Sequence, residues 1–187
     1  MNRKQFFDKL SESWDKKSEN SKKRKKIIEQ KIFPLLKKFV KPNHNVLDLG
    51  CGTGILLPYL KSLVGKKGKV YALDFSEKML NKAKEKFGNE IFYIKANAHN
   101  LPFKKEKFES VVCLDTFPHF VDKFKVIKEI NRILKPKGYF VITHSENKHI
   151  VNKHHKKVGG VVKNDLLPEE DKLFLWLKKT NFVIKEF

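Results

Sequence analysis

Two cysteines, three arginines and no long apolar run mark this 187-residue chain by what it is short of. Cys51 and Cys113 form no CxxC pair and sit in Gly-rich and apolar surroundings. A disulfide framework and a structural zinc site are therefore not expected, and a reducing, cytoplasmic setting fits. No stretch approaches the roughly 18 apolar residues that cross a bilayer, and the opening MNRKQFFDKLSESWDKK lacks the apolar core of a secretory signal. Forty per cent hydrophobic content with 16 phenylalanines is enough for one packed core and excludes wholesale disorder.

Positive charge is abundant and almost all of it is lysine. Lys and Arg total 41 against 21 acids, a formal +20, yet only Arg3, Arg24 and Arg132 are arginines. A surplus of this size suggests an anionic partner, nucleic acid above all. Readers of nucleic acid favour the bidentate arginine fork, so a lysine excess spread along the chain points instead to general compositional bias. The surplus is densest in Lys22-Lys23-Arg24-Lys25-Lys26, a run expected to form a solvated helix face.

The chain alternates short apolar runs with helical patterns. Val46–Leu49, Val70–Leu73, Ile91–Ile94, Val111–Leu114 and Tyr139–Thr143 read as strands buried on both faces. Between them, 55–64, 76–87 (capped by Ser76) and 122–134 carry helical spacing, the last stopped by Lys135-Pro136-Lys137-Gly138. This rhythm predicts a Rossmann-like, doubly wound α/β fold with a mostly parallel sheet. Ahead of it, residues 22–40 carry an apolar stripe interrupted by Pro34, where a kink or two short helices are expected. Residues 146–165, rich in His, Lys and Gly, break the rhythm and are expected as a long loop or irregular lid. A helix over 168–179 and a sixth strand over Phe182–Phe187 complete the reading.

Asp48-Leu49-Gly50-Cys51-Gly52-Thr53-Gly54 closes the first strand and opens the first helix. At this carboxyl end of a strand ligands bind, and glycine lets the backbone turn and approach them. A dinucleotide fingerprint would need Gly at position 55, which is Ile. Asp48 would repel a pyrophosphate, whereas Asp74, ending the second strand, can accept from both hydroxyls of a ribose. The pair suits a nucleoside carrying positive charge in place of phosphate.

VLDLGCGTG, ALDFSEKML, NLPFKKEKFESVV and EINRILKPKGYFVI resemble successive motifs of the class I S-adenosylmethionine-dependent methyltransferases, in particular the ubiquinone and menaquinone methyltransferase group. The resemblance covers about residues 40–145. It implies strand order 3-2-1-4-5 and then 6, with the family's usual seventh strand missing from a C-terminally truncated domain spanning 42–187, and a helical cap or lid over 1–41. It further implies that S-adenosylmethionine contacts Gly50, Cys51, Gly52, Thr53 and Gly54. Asp48 would orient its amino group, Asp74 would hold the ribose, and Phe75 and Met79 would flank the adenine. Ala98 and Leu114 would line the same site. Asn97 stands where the family usually has an acid, its amide oxygen still able to accept from the adenine. The leader Phe6–Asp15 resembles the segment that caps the cofactor, with Phe7 and Trp14 as closing residues.

For the acceptor, His119 and His144 lie at strand ends where the family places substrate-facing groups, and His155 falls in a stretch resembling an insert of some family members. These three are the candidate catalytic residues. No metal is expected. Asp115-Thr116-Phe117-Pro118 lacks the Asn/Asp-Pro-Pro-aromatic pattern of base-flipping amino methyltransferases, so a small-molecule or lipid-like acceptor is expected over nucleic acid. An RNA methyltransferase guided by the basic N-terminal helix, or a cofactor-binding protein without catalysis, remain the alternatives. An unpaired sheet edge would offer a route to oligomers.

Overall fold

In the computed structural model, residues 1–14 and 18–186 are described; Asp15, at the end of the expected capping leader, and Phe187 lie outside them. Five strands form one fully parallel sheet: β1 (Asn45–Leu49), β2 (Lys69–Asp74), β3 (Phe92–Lys95), β4 (Phe108–Leu114) and β5 (Leu134–Thr143). Their order is β3-β2-β1-β4-β5. Register pairs Asp48 with Ala72 and Val112, which sets the ends of β1, β2 and β4 side by side.

Alternation along each strand explains the near-continuous apolar runs. On β1, Val46 faces a layer containing Leu57, Leu60 and Ala83, while Leu47 and Leu49 face one containing Ile127, Ile130 and Ile133. Each layer is an amphipathic helix face closed on the sheet. The first is built by α3 (Phe33–Phe39), α4 (Leu57–Val64) and α5 (Glu77–Phe87), the second by α6 (Lys123–Ile133) and α8 (Glu170–Lys179). Ser76 caps α5, its hydroxyl accepting from the Met79 amide at 3.2 Å, and Asp122 caps α6 by accepting from Lys125 at 2.9 Å.

Two further helices precede the sheet, α1 (Arg3–Trp14) and α2 (Ser18–Ile27). A π turn over Ile28–Ile32 joins α2 to α3, with the Phe33 amide bonded to the Ile28 carbonyl. Pro34 follows immediately. Proline has no N–H to give and its ring crowds the preceding turn, so the wider π turn absorbs the interruption expected there.

Three expectations are overturned. Residues 146–165 are largely ordered helix: α7 (Lys148–Val158) is capped by Asn147, which accepts from Ile150 at 3.0 Å, and stops at Gly159 with φ +71°. A short 3-10 turn, Gly160–Val162, follows. The sixth strand is absent among the described residues. Residues 182–186 run beside β5 without ladder bonds, Phe182 meeting Phe140 with ring centroids 5.9 Å apart and Glu186 pairing with Lys38. The Lys135–Gly138 stop also lies inside β5 rather than before it. Lys137 takes φ +64° and the pairing with β4 shifts between Phe108 and Ser110, so the segment is a bulge.

Candidate functional site

A cavity of about 180 Å³ opens above the carboxyl ends of β1, β2 and β4. From the β1–α4 turn it is lined by Asp48, Gly50, Cys51, Gly52 and Thr53, and from the β2–α5 turn by Asp74, Phe75 and Met79. Asn97 and Ala98 after β3 and Leu114 at the end of β4 complete the residues expected there. Gly54 is the exception. A Cβ at that position would meet Leu57 at 2.7 Å and Phe87 at 2.9 Å, so it serves helix packing.

Two glycines of the turn are demanded for different reasons. Gly50 has φ +78°, and a Cβ there would lie 2.1 Å from the Thr116 methyl. Thr116 in turn donates its hydroxyl to the Gly50 carbonyl at 2.9 Å, drawing the β4 end onto the β1 turn. Gly52 has φ +54°, but a Cβ there would meet nothing within 4 Å. Its open side is part of the cavity wall, and its amide is tied to Asp74 Oδ2 at 2.9 Å. The other Asp74 oxygen accepts from the Ser76 amide at 2.9 Å. Each carboxylate oxygen therefore keeps a lone pair for a further donor.

Asp48 is buried at the cavity floor, and no hydrogen bond or ion pair among the described residues engages it. Burial, reinforced by the neighbouring Asp74 charge and opposed by Arg24, pushes its carboxyl up to about 7. Burial also raises Asp74, against the pull of the Ser76 and Gly52 amides. A cation at this floor would relieve both. The lining holds no lysine, although the chain has 38. Two raised carboxyls at the floor fit a positively charged, hydroxylated ligand, and the cations of the lining, Arg3 and Arg24, are paired with Asp165 and Asp115 rather than free for a phosphate.

Asn97 is arranged differently from expectation. Its amide oxygen already accepts from the His99 amide at 3.0 Å and from His99 Nδ1 at 2.7 Å. Because the Asp122 amide donates to His99 Nε2 at 3.0 Å, the ring carries its proton on Nδ1. The Asn97 amide group, rather than its oxygen, is what remains available to a base.

Of the three candidate histidines, only His119 lines this cavity. Its Nδ1 lies 2.7 Å from Asp165 Oδ2. His155 sits behind it, ring centroids 4.8 Å apart, with Nδ1 spent on the Asp165 carbonyl. His144 is turned to the far side of the sheet end, where it lines a second, largely apolar cavity along β5 and α8. Neither of its ring nitrogens has a hydrogen-bond partner among the described residues.

The sequence reading missed the arginines. Arg3 on α1 and Arg24 on α2 both line the cavity, so two of the chain's three arginines converge on it. Arg24 reaches Asp115 at the end of β4, Nε to Oδ2 3.0 Å and Nη2 to Oδ2 2.9 Å, while stacking over Trp14. Burial would raise Asp115, but the His144 ring 3.6 Å away, Arg24 and two bonds from Ser145 hold it down to about 2. Arg3 grips Asp165 with both terminal nitrogens and the Val161 carbonyl at 2.9 Å. The basic run is thus not one surface patch: Arg24 points inward, and Lys23 pairs with Glu146. In a lysine-rich chain, a retained arginine was the available signal, since only its fork makes such paired contacts.

The chain is similar in sequence and fold to known methyltransferases. A family described as a methyltransferase domain matches residues 47–142. A ubiquinone/menaquinone biosynthesis C-methyltransferase from Wigglesworthia glossinidia brevipalpis is 41% identical over 106 residues, 54% of this chain and 42% of that one. A demethylmenaquinone methyltransferase from Lactococcus lactis is 36% identical over 147 residues, 73% of this chain and 58% of that one. The chain thus spans about half the length of these relatives. The crystal structure of an S-adenosylmethionine-dependent methyltransferase from Aquifex aeolicus superposes with a TM-score of 0.67 at 28% identity, covering 82% of this chain and 80% of that one. Among the described residues, no helix is long and apolar enough to cross a membrane.

Proposed function

Because the chain belongs to the class I S-adenosylmethionine-dependent methyltransferases, we propose that it transfers a methyl group to a small-molecule or lipid-like acceptor in the cavity above β1, β2 and β4. The observation that carries the reading is the unpartnered Asp48 beside Asp74, bracketing the open side of Gly52. Asp48 would take the cationic methionine end, Asp74 the ribose hydroxyls, and Phe75 and Met79 the adenine faces. When bound, the cofactor supplies an electrophilic methyl group on a positively charged sulfur.

What the chain itself contributes is placement in a closed space. Helix α1 forms the lid. Phe7 packs edge-on against Phe75 and His119, with centroids 5.4 and 5.0 Å apart. Asp8 accepts from the Ser76 hydroxyl at 2.6 Å, and Lys82 holds the Ser11 carbonyl at 2.6 Å. Phe7, Phe75 and Phe120 give the cavity an aromatic wall suited to a flat ring. The named relatives act in quinone biosynthesis, and a phenolic or quinone-like acceptor is the class this wall supports. His119 is the residue we place against the acceptor.

Calorimetry with S-adenosylmethionine, followed by a labelled-methyl screen across metabolite pools, tests the reading. Asp74→Ala should weaken binding about a hundredfold, the cost of losing two charge-assisted hydrogen bonds. Unchanged affinity in that variant would refute the site.

A further inference from the structure

His119 is held more firmly than a wall residue needs. Asp165 is buried and accepts from His119 Nδ1 at 2.7 Å and from both terminal nitrogens of Arg3. Arg3 Nη1 also reaches the His119 carbonyl at 3.4 Å. The ring is wedged between Phe7, 5.0 Å away, and His155, 4.8 Å away. A proton on Nδ1, shared with the carboxylate, leaves Nε2 with its lone pair free, and no described residue engages it.

Four elements meet in this cluster: α1 brings Arg3, α7 brings His155, α6 brings Lys123, and the segment after the 3-10 turn brings Asp165. Resting on the methyl-transfer reading above, we propose that His119 is the base that accepts the acceptor's proton, that Asp165 is its positioning residue, and that Arg3 makes the base available only while α1 is closed.

The electrostatics of the four groups supply the switch. Asp165 facing an imidazole raises it and would leave it charged, and a charged ring has no lone pair to offer. Burial lowers His119 most, and the neighbouring His155 ring and the Arg3 guanidinium lower it further, together outweighing Asp165. Lys123 adds positive charge beside Asp165, its ammonium fixed on the Pro118 and Phe120 carbonyls at 2.9 Å. Arg3 alone among these rides on α1, the helix that lies over the cavity. With α1 docked, Asp165 is shared with Arg3 and the ring stays neutral. With α1 away, Asp165 faces His119 uncompensated and the ring takes up a proton.

A base in this position defines the acceptor class: one whose nucleophilic atom carries an acidic hydrogen, a phenolic hydroxyl or an enolisable ring carbon. Its proton passes to Nε2, its electron pair forms the bond to the methyl carbon, and the carbon–sulfur pair stays on the departing sulfur. Asp165 then faces an imidazolium and stabilises it. Sulfides and tertiary amines have no proton to lose and would gain nothing from His119.

The test is long-range proton–nitrogen NMR on the full-length, histidine-labelled protein. His119 should appear as the Nδ1–H tautomer, titrating below an ordinary histidine. Arg3→Gln should move that titration up, Arg3→Lys should leave it near the parent, and Asp165→Asn should move it down. These shifts read the coupling of Arg3 and Asp165 to the ring, and the methyl labelling reads its role as base. An Nε2–H tautomer, or an unmoved titration in Arg3→Gln, overturns the proposal. In parallel, a labelled methyl donor is offered to simple phenols and 1,3-diketones and to methyl sulfides and tertiary amines. Labelling of the first group that falls about a hundredfold or more in His119→Gln supports the base; labelling that His119→Gln leaves intact overturns it. If calorimetry shows no binding of S-adenosylmethionine to the parent protein, the methyl-transfer reading fails instead, and the tautomer and titration results stand apart from it.

Discussion

Arg24 and Asp115, 91 residues apart in sequence, meet at 2.9 Å across the cavity mouth. Asp115 adopts φ +56°, unusual for a residue with a Cβ, so the end of β4 is bent to present its carboxylate. Arg24, the Ser145 amide and the Ser145 hydroxyl together saturate it. The pair ties α2 to the ends of β4 and β5, and removing one partner strands the other in a half-buried place. Arg24→Gln should therefore lower unfolding stability by about 2 kcal/mol, measured by denaturant titration. Arg24→Lys should recover only part, since a point charge cannot reproduce the Nε and Nη2 contacts. Equal stability in all three proteins would show that the pair is incidental.

Gly50 and Gly52 separate a folding requirement from a binding one. Gly50→Ala adds a methyl group 2.1 Å from Thr116 on a left-handed backbone. It should cost about 3 kcal/mol in thermal or chemical denaturation. Gly52→Ala meets no protein atom, so its stability cost is the backbone preference alone, about 1–2 kcal/mol. Its methyl group enters ligand space, and calorimetry should show at least about a tenfold loss of S-adenosylmethionine affinity. The opposite ranking on either measurement would mean that the open side of Gly52 is not where the ligand lies.

Local chemistry wrote the sheet into the sequence, and distance hid the lid. Val46-Leu47-Asp48-Leu49 and Val111-Val112-Cys113-Leu114 announce buried strands because both faces are apolar, and an acid ending a strand before a glycine turn announces a ligand. Asp48 and Asp74 were legible for that reason. Arg3 and Asp165 were not: they lie 162 residues apart, and no local pattern joins them. Helix α7 was obscured by its own composition. Its Asn147 cap and Gly159 stop were in plain view, but His and Lys fill the positions where apolar periodicity would show. Phe182–Ile184 has strand composition, yet pairing needs a partner edge in register, and that segment instead turns Phe182 onto Phe140.

Trp14 offers a reporter for the lid. It lines the cavity with Arg24 5.7 Å from its ring, whereas Trp176 packs on the opposite helical layer in α8. Titration with S-adenosylhomocysteine, which carries no methyl group to transfer, should change tryptophan emission. Trp176→Phe should keep most of that change and Trp14→Phe should lose it. A response that survives in Trp14→Phe would place α1 away from the ligand.

Asp48 makes cofactor binding and folding depend on pH in opposite ways. Its folded carboxyl titrates at about 7 against an ordinary 3.8. The unfolded chain loses this proton near the ordinary value while the folded chain keeps it. The native state therefore binds more protons, and stability falls as pH rises through that window, by about 1.4 kcal/mol per pH unit where the difference is complete. Asp115 and Asp165, each held down to about 2, act in the other direction and only below about pH 4. Asp48→Asn should thus flatten the fall between about pH 4 and 7, leaving the share that belongs to Asp74. A cationic ligand needs the ionised form, so near pH 6 its binding should expel a proton from Asp48. Calorimetry in two buffers of different ionisation enthalpy detects this as a buffer-dependent heat, which Asp48→Asn should reduce to the share of Asp74. Heats identical in both buffers for the parent protein would mean that the ligand's positive charge does not sit at Asp48.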